Sequence, residues 1–268
     1  MKIKINKIAI GDSEPLAIIA GPCAVESEEI CLKTAEHLKM LSEKQNFPLI
    51  FKSSYKKANR TSQGSFTTIG VEDALRILKK VRTELDIPVI TDIHTTAEAQ
   101  TAAEYVDILQ IPAFLCRQTD LIVAAAKTGK PVNIKKGQFM APEDMANAAG
   151  KVVSAGNNRV LLTERGTTFG YHNLVVDFRS LVIMKQTGFP IVYDCTHSVQ
   201  LPSGASGVSG GQPQYILPLA RAAVAVGCDV LFIETHPNPA QAVSDAESQL
   251  PLSEMETFIN SIREIRKV

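Results

Sequence analysis

Short runs of apolar, often β-branched residues alternate along this chain with longer segments in which apolar residues recur at helical spacing. The first pattern is typical of buried strands and the second of amphipathic helices. Eight runs predict strands: LAIIAGPC from Leu16, LIFKSS from Leu49, PVITDIH from Pro88, VDILQIPA from Val106, PVNIKK from Pro131, RVLLTER from Arg159, IVYDCTH from Ile191 and VLFIETH from Val230.

Helical patterns follow these strands in turn, so that strand and helix alternate from end to end. They cover 27–44, 71–85, 96–104, 118–128, 142–154, 173–187, 213–227 and the segment from Ser253 to the C-terminus. Mostly apolar strands indicate a parallel sheet that is covered on both faces. An unbroken series of eight βα units favours closure into a (β/α)₈ TIM barrel over an open sheet. The pattern therefore predicts one α/β domain of this type over residues 1–268.

Two kinds of segment depart from this alternation. Residues 1–14 contain KIKINKIAI, whose period of two predicts a short β-hairpin that covers the N-terminal end of the barrel. Two long loops are predicted, at 55–70 and at 202–213. The second, PSGASGVSGGQP, is rich in glycine and serine, which is compatible either with a lid over a ligand or with a disordered surface loop.

Composition mainly excludes functions. The 268 residues include 28 basic and 28 acidic ones, so no overall field favours nucleic acid or an anionic membrane. The start of the chain lacks the apolar core of a signal peptide, and no apolar run reaches membrane-spanning length. Five scattered cysteines without a CxxC pair are typical of free thiols in a reducing compartment. We therefore expect a cytoplasmic protein that binds neither nucleic acid nor membrane.

Basic residues collect where four of the predicted strands end, which is the functional end of a TIM barrel. They are Lys52, Lys57 and Arg60 with the neighbouring Asn59, then Arg117, then Lys135 and Lys136, and then Arg165. A cation inside a barrel mouth is costly unless it meets an anion, so this set predicts a ligand with more than one negative group, such as phosphate and carboxylate. Lys135 and Lys136 are adjacent in a strand, so one faces in and one out, and the sequence leaves open which.

Thiol, imidazole and carboxylate groups end the first, seventh and eighth strands, which are neighbours in a closed barrel. These residues are Cys23, His197, Glu234 and His236, with Asp245 shortly downstream. Their convergence predicts a divalent metal site of the zinc or iron type. A nucleophilic Cys23 with His197 as its base is the competing interpretation.

Two more acids, Asp92 and Asp194, also lie at strand ends. Either could bind substrate hydroxyls or act as a base, and either could equally be a structural partner of other residues.

The motifs at these positions resemble those of the 3-deoxy-D-manno-octulosonate 8-phosphate synthases, one of the phosphoenolpyruvate-dependent groups of 3-deoxy-sugar synthases. The resemblance covers essentially the whole chain: IAGPCAVES, FKSSYKKANRTS, TDIH, QIPAFLCRQTDL, NIKKGQF, LTERGTTFGYHNLVVDFRS, DCTHSVQLP, VLFIETHPNP and SDAESQLPL. It implies condensation of phosphoenolpyruvate with D-arabinose 5-phosphate and water, a homotetramer, and a product used in the inner core of lipopolysaccharide.

The resemblance also implies roles for individual residues. Phosphoenolpyruvate would be bound by Lys52, Ser54, Lys57, Lys135 and Arg165. The aldose phosphate would be bound by Asn59, Arg60 and Arg117, the last reaching a neighbouring subunit. We add Asp92 and Gln200 to the predicted substrate contacts, and we predict catalytic roles for His197, Lys57, Asp92 and Asp245. The KANR segment favours arabinose 5-phosphate over erythrose 4-phosphate, whose synthase carries a KPRTS-type segment.

Members of this family are either metal-dependent, with cysteine in the GPC motif, or metal-independent, with asparagine there. Cys23 and the SDA segment around Asp245 resemble the metal-dependent type. The implied ligands are Cys23, His197, Glu234 and Asp245, around an ion of the Zn, Fe, Mn or Co type.

Two departures from the family pattern concern the acceptor end of the site. Tyr55 and Lys56 replace the usual phenylalanine and aspartate, and Gly64 and Thr67 stand where a histidine and an arginine are usual. A different acceptor sugar therefore remains an alternative, as does a non-catalytic barrel that binds phosphosugars.

Overall fold

The computed structural model describes residues 1–11, 13–59, 64–205 and 208–265. Eight parallel strands form a closed barrel, in which each strand pairs with the next and the eighth pairs with the first. The strands are Ala17–Gly21, Leu49–Lys52, Val89–Asp92, Ile108–Ile111, Val132–Lys135, Val160–Glu164, Ile191–Asp194 and Val230–His236. The predicted TIM barrel is confirmed.

A helix follows each barrel strand. The helices are α1 (Glu28–Gln45), α2 (Val71–Glu84), α3 (Thr96–Tyr105), α4 (Thr119–Lys127), α5 (Met145–Ser154), α6 (Arg179–Lys185), α7 (Ile216–Val226) and α8 (Met255–Arg263). Helix α6 is shorter than the predicted 173–187. The first residues of the predicted segment are not helical, because Leu174–Val175 forms a short antiparallel pair with Thr167–Thr168. Among the described residues, no helix is both long and apolar enough to cross a membrane.

Helix α1 shows how the sequence sets these elements. The Ser27 hydroxyl accepts a hydrogen bond from the Ile30 N–H and so caps the helix, while Asn46 ends it in the left-handed region at a φ of 52°. Cys31, Ala35 and Leu38 recur on one face and are fully buried against the barrel. Truncating Leu38 to alanine would cost about 2–5 kcal/mol of stability.

The N-terminal hairpin, Ile3–Ile5 paired with Ile8–Ile10, closes one end of the barrel as predicted. Its Ile3, Ile5 and Ile10 side chains are buried in an apolar cluster inside the barrel. The barrel side chains of this cluster are Ala17, Ile19, Ile50, Ile90, Ile108, Leu161, Val192, Val230 and Phe232. Residues at the N-terminal ends of all the strands except the fifth thus share one core with the hairpin.

The segment predicted as the second long loop contains regular structure instead. Gln200–Ala205 pairs antiparallel with Val208–Gly211, with Gln200 opposite Gly211. The two residues at its tip, Ser206 and Gly207, lie outside the described part of the chain. The loop prediction was therefore wrong for most of 202–213, and a lid function stays a prediction.

Candidate active site

A pocket opens at the C-terminal end of the barrel strands, which is where TIM barrels bind their ligands. Eight residues predicted from the sequence line it: Lys52, Ser54, Lys57, Asn59, Asp92, Lys135, Arg165 and His197. Its lining also includes residues not predicted as site residues, among them Lys56, His94, Gln110, Ala113 and Phe114. The convergence expected from the strand count is therefore observed.

The first and second strands approach closely at the base of this pocket. A Cβ atom on Gly21 would lie 2.0 Å from the Lys52 carbonyl oxygen, so only glycine fits there. Beyond the strands the two segments continue side by side, with the Ser54 N–H donating to the Cys23 carbonyl at 3.2 Å. This contact brings Cys23 to the lysines that follow the second strand.

Lys52 is buried and held from several sides. Its Nζ donates to Glu234 Oε1 at 2.8 Å, to Ser54 Oγ at 3.0 Å and to the Cys23 carbonyl at 3.1 Å. Burial lowers the pKa of Lys52, but Glu234 and Asp92 outweigh burial and raise it above its ordinary value. Lys52 is therefore a fixed positive charge at neutral pH.

The structure decides between the two adjacent lysines of the fifth strand. Lys135 faces the pocket, where its Nζ donates to Asp194 Oδ2 at 2.7 Å. Lys136 faces the opposite side of the sheet, and its Nζ donates to Thr167 Oγ1 at 3.0 Å and lies 3.4 Å from Glu164 Oε1. Of these two lysines, Lys135 is therefore the one that lines the pocket, and Lys136 has a structural role.

Arg165 differs from the pocket lysines in lacking a carboxylate partner. The guanidinium is buried and donates to Gln200 Oε1 at 3.0 Å, and it forms no ion pair with a described residue. Burial lowers its pKa, although Asp194 and Asp245 act in the opposite direction. A buried guanidinium without a close anion is a strong indication of an anionic ligand.

Asp92 accepts hydrogen bonds on both carboxylate oxygens. Ser54 Oγ donates to Oδ2, and Gln110 Nε2 donates to Oδ1 at 2.6 Å. Burial raises the pKa of Asp92, but Lys52, Lys135 and Lys57 outweigh burial and hold it well below its usual range. Asp92 is therefore an ionised acceptor on the pocket wall.

Three of the four predicted metal ligands form one compact group. The ligand atoms of Cys23, Glu234 and Asp245 all lie within 4.8 Å of one another. His197 is not in that group, but its Nε2 lies 3.6 Å from Glu234 Oε1, while its Nδ1 faces Asp194 Oδ2 at 2.9 Å. A thiol, an imidazole and two carboxylates are donors that zinc and iron accept.

One further observation at this group indicates a site for a cation. Glu234 Oε2 is buried and has no hydrogen-bond partner among the described residues. Lys57 Nζ lies 2.9 Å from Cys23 Sγ and 3.6 Å from Asp245 Oδ2, so the Lys57 ammonium group is a charged partner of both residues. Burial raises the pKa of Cys23 well above its ordinary value, and Asp245 and Glu234 raise it further. A metal ion would reverse that effect by stabilising the thiolate.

Some residues singled out in the sequence lie elsewhere. Arg117 is exposed and lines a separate groove with Phe139 and Lys151. Arg60 lies outside the described residues. His236 is buried away from the ligand group, with its Nε2 3.6 Å from Glu26 Oε2. Gln200 is beside the site, where it bridges Arg165 and Asp245 Oδ1, the latter at 2.9 Å.

Gln110 was missed by sequence reasoning although a signal was present. It is the polar residue of the otherwise apolar strand Ile108–Ile111, and Asn133 occupies a similar place in Val132–Lys135. A polar residue inside an apolar strand indicates a buried polar site as a polar residue at a strand end does, because its burial requires hydrogen-bond partners.

Comparisons with known proteins agree with this geometry. The model of the DAHP synthetase I family matches residues 1–268. A curated relative from Geobacter metallireducens, named 2-dehydro-3-deoxyphosphooctonate aldolase, is 53% identical over 264 residues, which are 98% of this chain and 97% of the relative. Relatives of the same name from Acidithiobacillus ferrooxidans and a Cyanothece species are 54% and 51% identical, over 96% and 99% of this chain and 92% and 98% of their own lengths.

Proposed function

The chain belongs to the DAHP synthetase I family, and from this we propose that it condenses phosphoenolpyruvate with D-arabinose 5-phosphate and water. The products are 3-deoxy-D-manno-octulosonate 8-phosphate and inorganic phosphate. The name 2-dehydro-3-deoxyphosphooctonate aldolase, shared by close relatives, supports this reaction. The observation that carries the proposal is the pocket itself, where buried Lys52, Lys135 and Arg165 surround space for a small anion.

Phosphoenolpyruvate supplies the two negative groups that these cations require. Lys52, Lys57, Lys135 and Arg165 hold its carboxylate and phosphate, with Ser54 as an additional contact. Arg165 gains the anionic partner that it lacks among the described side chains. Fixing both ends of the molecule presents its C3 atom to the aldehyde carbon of the second substrate, which lowers the entropic part of the barrier.

The reaction forms one carbon–carbon bond and releases phosphate. Water adds to C2 of phosphoenolpyruvate, C3 attacks the aldehyde carbon, and the aldehyde oxygen takes up a proton. The bond between C2 and the phosphate oxygen then breaks, and loss of the second proton of the water leaves a ketone at C2. His197 or a carboxylate is the candidate for these proton transfers. Because Asp194 binds Nδ1 of His197, its Nε2 can act either as the base or as a metal ligand, but not as both at once.

We assign Cys23, His197, Glu234 and Asp245 as ligands of a divalent metal ion. The orphaned Glu234 Oε2 and the grouping of Cys23, Glu234 and Asp245 support this assignment. When bound, such an ion supplies a Lewis acid that polarises an oxygen of a substrate or of water. Cys23 must lose its proton to become a ligand, so metal binding weakens as the pH falls.

The acceptor sugar extends from the reacting centre towards the pocket mouth. Asn59 and Arg60 bind its phosphate, and Arg117 completes the site from a neighbouring subunit of a homotetramer. The position of Arg117, exposed beside the solvent-facing Phe139, is compatible with a subunit contact. Asp92 binds a sugar hydroxyl. The product feeds assembly of the lipopolysaccharide inner core in the cytoplasm.

Phosphate release tests the proposal. Phosphoenolpyruvate is mixed with arabinose 5-phosphate or with erythrose 4-phosphate. Each mixture is measured without a chelator, with a strong chelator, and after metal is added back. We expect turnover with the pentose alone, lost in chelator and restored by metal. Turnover only with the tetrose would reassign the acceptor, and full activity in chelator would remove the metal from the proposal.

A further inference from the structure

A chain of buried hydrogen bonds runs beneath the pocket and ends at Asp92. Thr163 Oγ1 donates to Asn133 Oδ1 at 2.6 Å, and Asn133 Nδ2 donates to Gln110 Oε1 at 2.8 Å. Gln110 Nε2 in turn donates to Asp92 Oδ1 at 2.6 Å. The chain therefore crosses four consecutive strands, from the sixth to the third.

Asn133 and Thr163 do not line the pocket. Both are fully buried at 0% exposure, and Gln110 is 1% exposed, so water does not compete for these bonds. Buried amides and hydroxyls are costly unless they are satisfied, and an aliphatic side chain would fit the neighbouring core more cheaply. The cost of keeping polar groups at these two positions points to a role at the members of the chain that line the pocket, Gln110 and Asp92.

The Asp92 carboxylate sets the direction of every bond in the chain, because an ionised carboxylate can only accept. A carboxamide has one acceptor end and one donor end, so Gln110 can be placed with either end towards Asp92. Only the amino end suits the carboxylate, and Gln110 Oε1 then needs a donor, which Asn133 Nδ2 supplies. The reverse placement would set an oxygen of Gln110 against a carboxylate, which is repulsive.

From the other side, Asp92 receives a second chain of donors. Lys52 Nζ donates to Ser54 Oγ at 3.0 Å, and Ser54 Oγ donates to Asp92 Oδ2. One carboxylate oxygen is thus fixed through a charged chain and the other through a neutral one. Without the neutral chain the carboxylate can rotate towards Lys52, which lies 3.8 Å from Oδ2.

We propose that Asn133 is a positioning residue, which orients Gln110 and through it fixes Asp92 for the acceptor sugar. This inference rests on the proposed function, because Asp92 is assigned there to a substrate hydroxyl. Thr163 fixes Asn133 in the same way and extends the network to the sixth strand.

The test is a double-mutant cycle between Asn133→Leu and Asp92→Asn, read in kcat for phosphate release. Weakening a hydrogen bond to a charged group predicts a loss of about tenfold or more for Asn133→Leu in the wild-type background. In the Asp92→Asn background the same change is expected to cost less than about twofold, because the residue it acts through is already altered. An equal loss in both backgrounds, or no loss in the folded variant, overturns the proposal.

The matched control is Asn157→Leu, which removes another buried carboxamide. Asn157 Nδ2 donates to the carbonyls of Ala126 and Lys130, at the opposite end of the barrel. Its effect on kcat should be the same in both backgrounds. Where Asn133→Leu does not fold, Thr163→Val replaces it, since that change removes one hydroxyl and keeps the shape.

A crystal structure of the variant separates failure of this inference from failure of the proposed reaction. The distance from Gln110 Nε2 to Asp92 Oδ1, 2.6 Å here, should lengthen beyond hydrogen-bonding range. If the wild-type protein does not turn over the two substrates, the proposed function is wrong and this distance still decides the role of Asn133. An unchanged distance means that Asn133 does not orient Gln110.

Discussion

The two ends of the barrel interior are built from the same strands and have opposite chemistry. At the N-terminal end, inward positions carry Ile50, Ile90 and Ile108, packed with the N-terminal hairpin. Two residues further along the same strands, the inward positions carry Lys52, Asp92 and Gln110, which line the pocket. Two residues of a strand span about 7 Å. The interior thus changes from aliphatic to charged within one side-chain layer.

This difference shows how the fold separates stability from chemistry. Aliphatic groups at the N-terminal end, which the hairpin closes, are stabilised by burial and need no hydrogen-bond partners. Charged groups at the C-terminal end, where the pocket opens, are stabilised by one another, as Lys52 is by Glu234. Substitutions at the two ends should therefore differ in kind, with lost activity at the open end and lost stability at the closed end.

The largest expected effect is at the proposed metal site. Cys23→Ala should lose metal binding and lower kcat by more than about a hundredfold, since even residues that only support metal ligands cost about 10- to 100-fold. Metal content and phosphate release measure the two losses. The control is Cys31→Ala, another buried cysteine that lies on α1 outside the site. Normal metal content in Cys23→Ala would contradict the ligand assignment.

The second-largest effect is expected at Arg165, the pocket cation that forms no ion pair with a described residue. Arg165→Gln should lower kcat/KM for phosphoenolpyruvate by about 10- to 100-fold, because it removes charged donors from the bound anion. Its thermal stability should be equal to or above that of the wild type, since a buried charge disappears. Arg159→Gln, on the exposed surface at the other end of the same strand, should leave both quantities unchanged. A marked loss of stability in Arg165→Gln would mean that the guanidinium is structural.

A smaller effect should appear in the pH dependence of stability. The pKa of Asp92 is held below that of the unfolded chain, so Asp92 contributes stability above pH about 4 that is lost as the pH falls towards its folded pKa. In Asp92→Asn, the unfolding free energy should fall less steeply below pH 4, by up to about 1.4 kcal/mol per pH unit. Urea unfolding at several acidic pH values measures this slope. Identical slopes would show that Asp92 is not stabilised as a carboxylate.

The smallest effect is at the closed end. Ile10→Val removes one methylene from a fully buried hairpin residue and should cost about 1 kcal/mol of unfolding free energy, with kcat unchanged. Denaturant unfolding and phosphate release together test this separation. A change in kcat as large as that of Arg165→Gln would show that the two ends are coupled.

Much of this architecture could be read from local pattern. Eight apolar runs and eight helical segments predicted the barrel, since the spacing of apolar residues in a strand or a helix depends only on residues close together in the chain. Strand ends then identified Lys52, Lys135 and Arg165 as pocket residues. Helix α6 was predicted too long, because the antiparallel pairing of Leu174–Val175 with Thr167–Thr168 is a contact that periodicity does not report.

The order of elements, the hairpin over the N-terminal end of the barrel and the kinds of chemical group at the strand ends all followed from the sequence alone. Tertiary structure alone decided that Lys135 faces in and Lys136 faces out, and that Gln110 and Asn133 link Thr163 to Asp92. It also left Arg117 outside the pocket. The physical reason is that side-chain direction and hydrogen-bond partners depend on how neighbouring strands are aligned, and that alignment joins residues far apart in the chain.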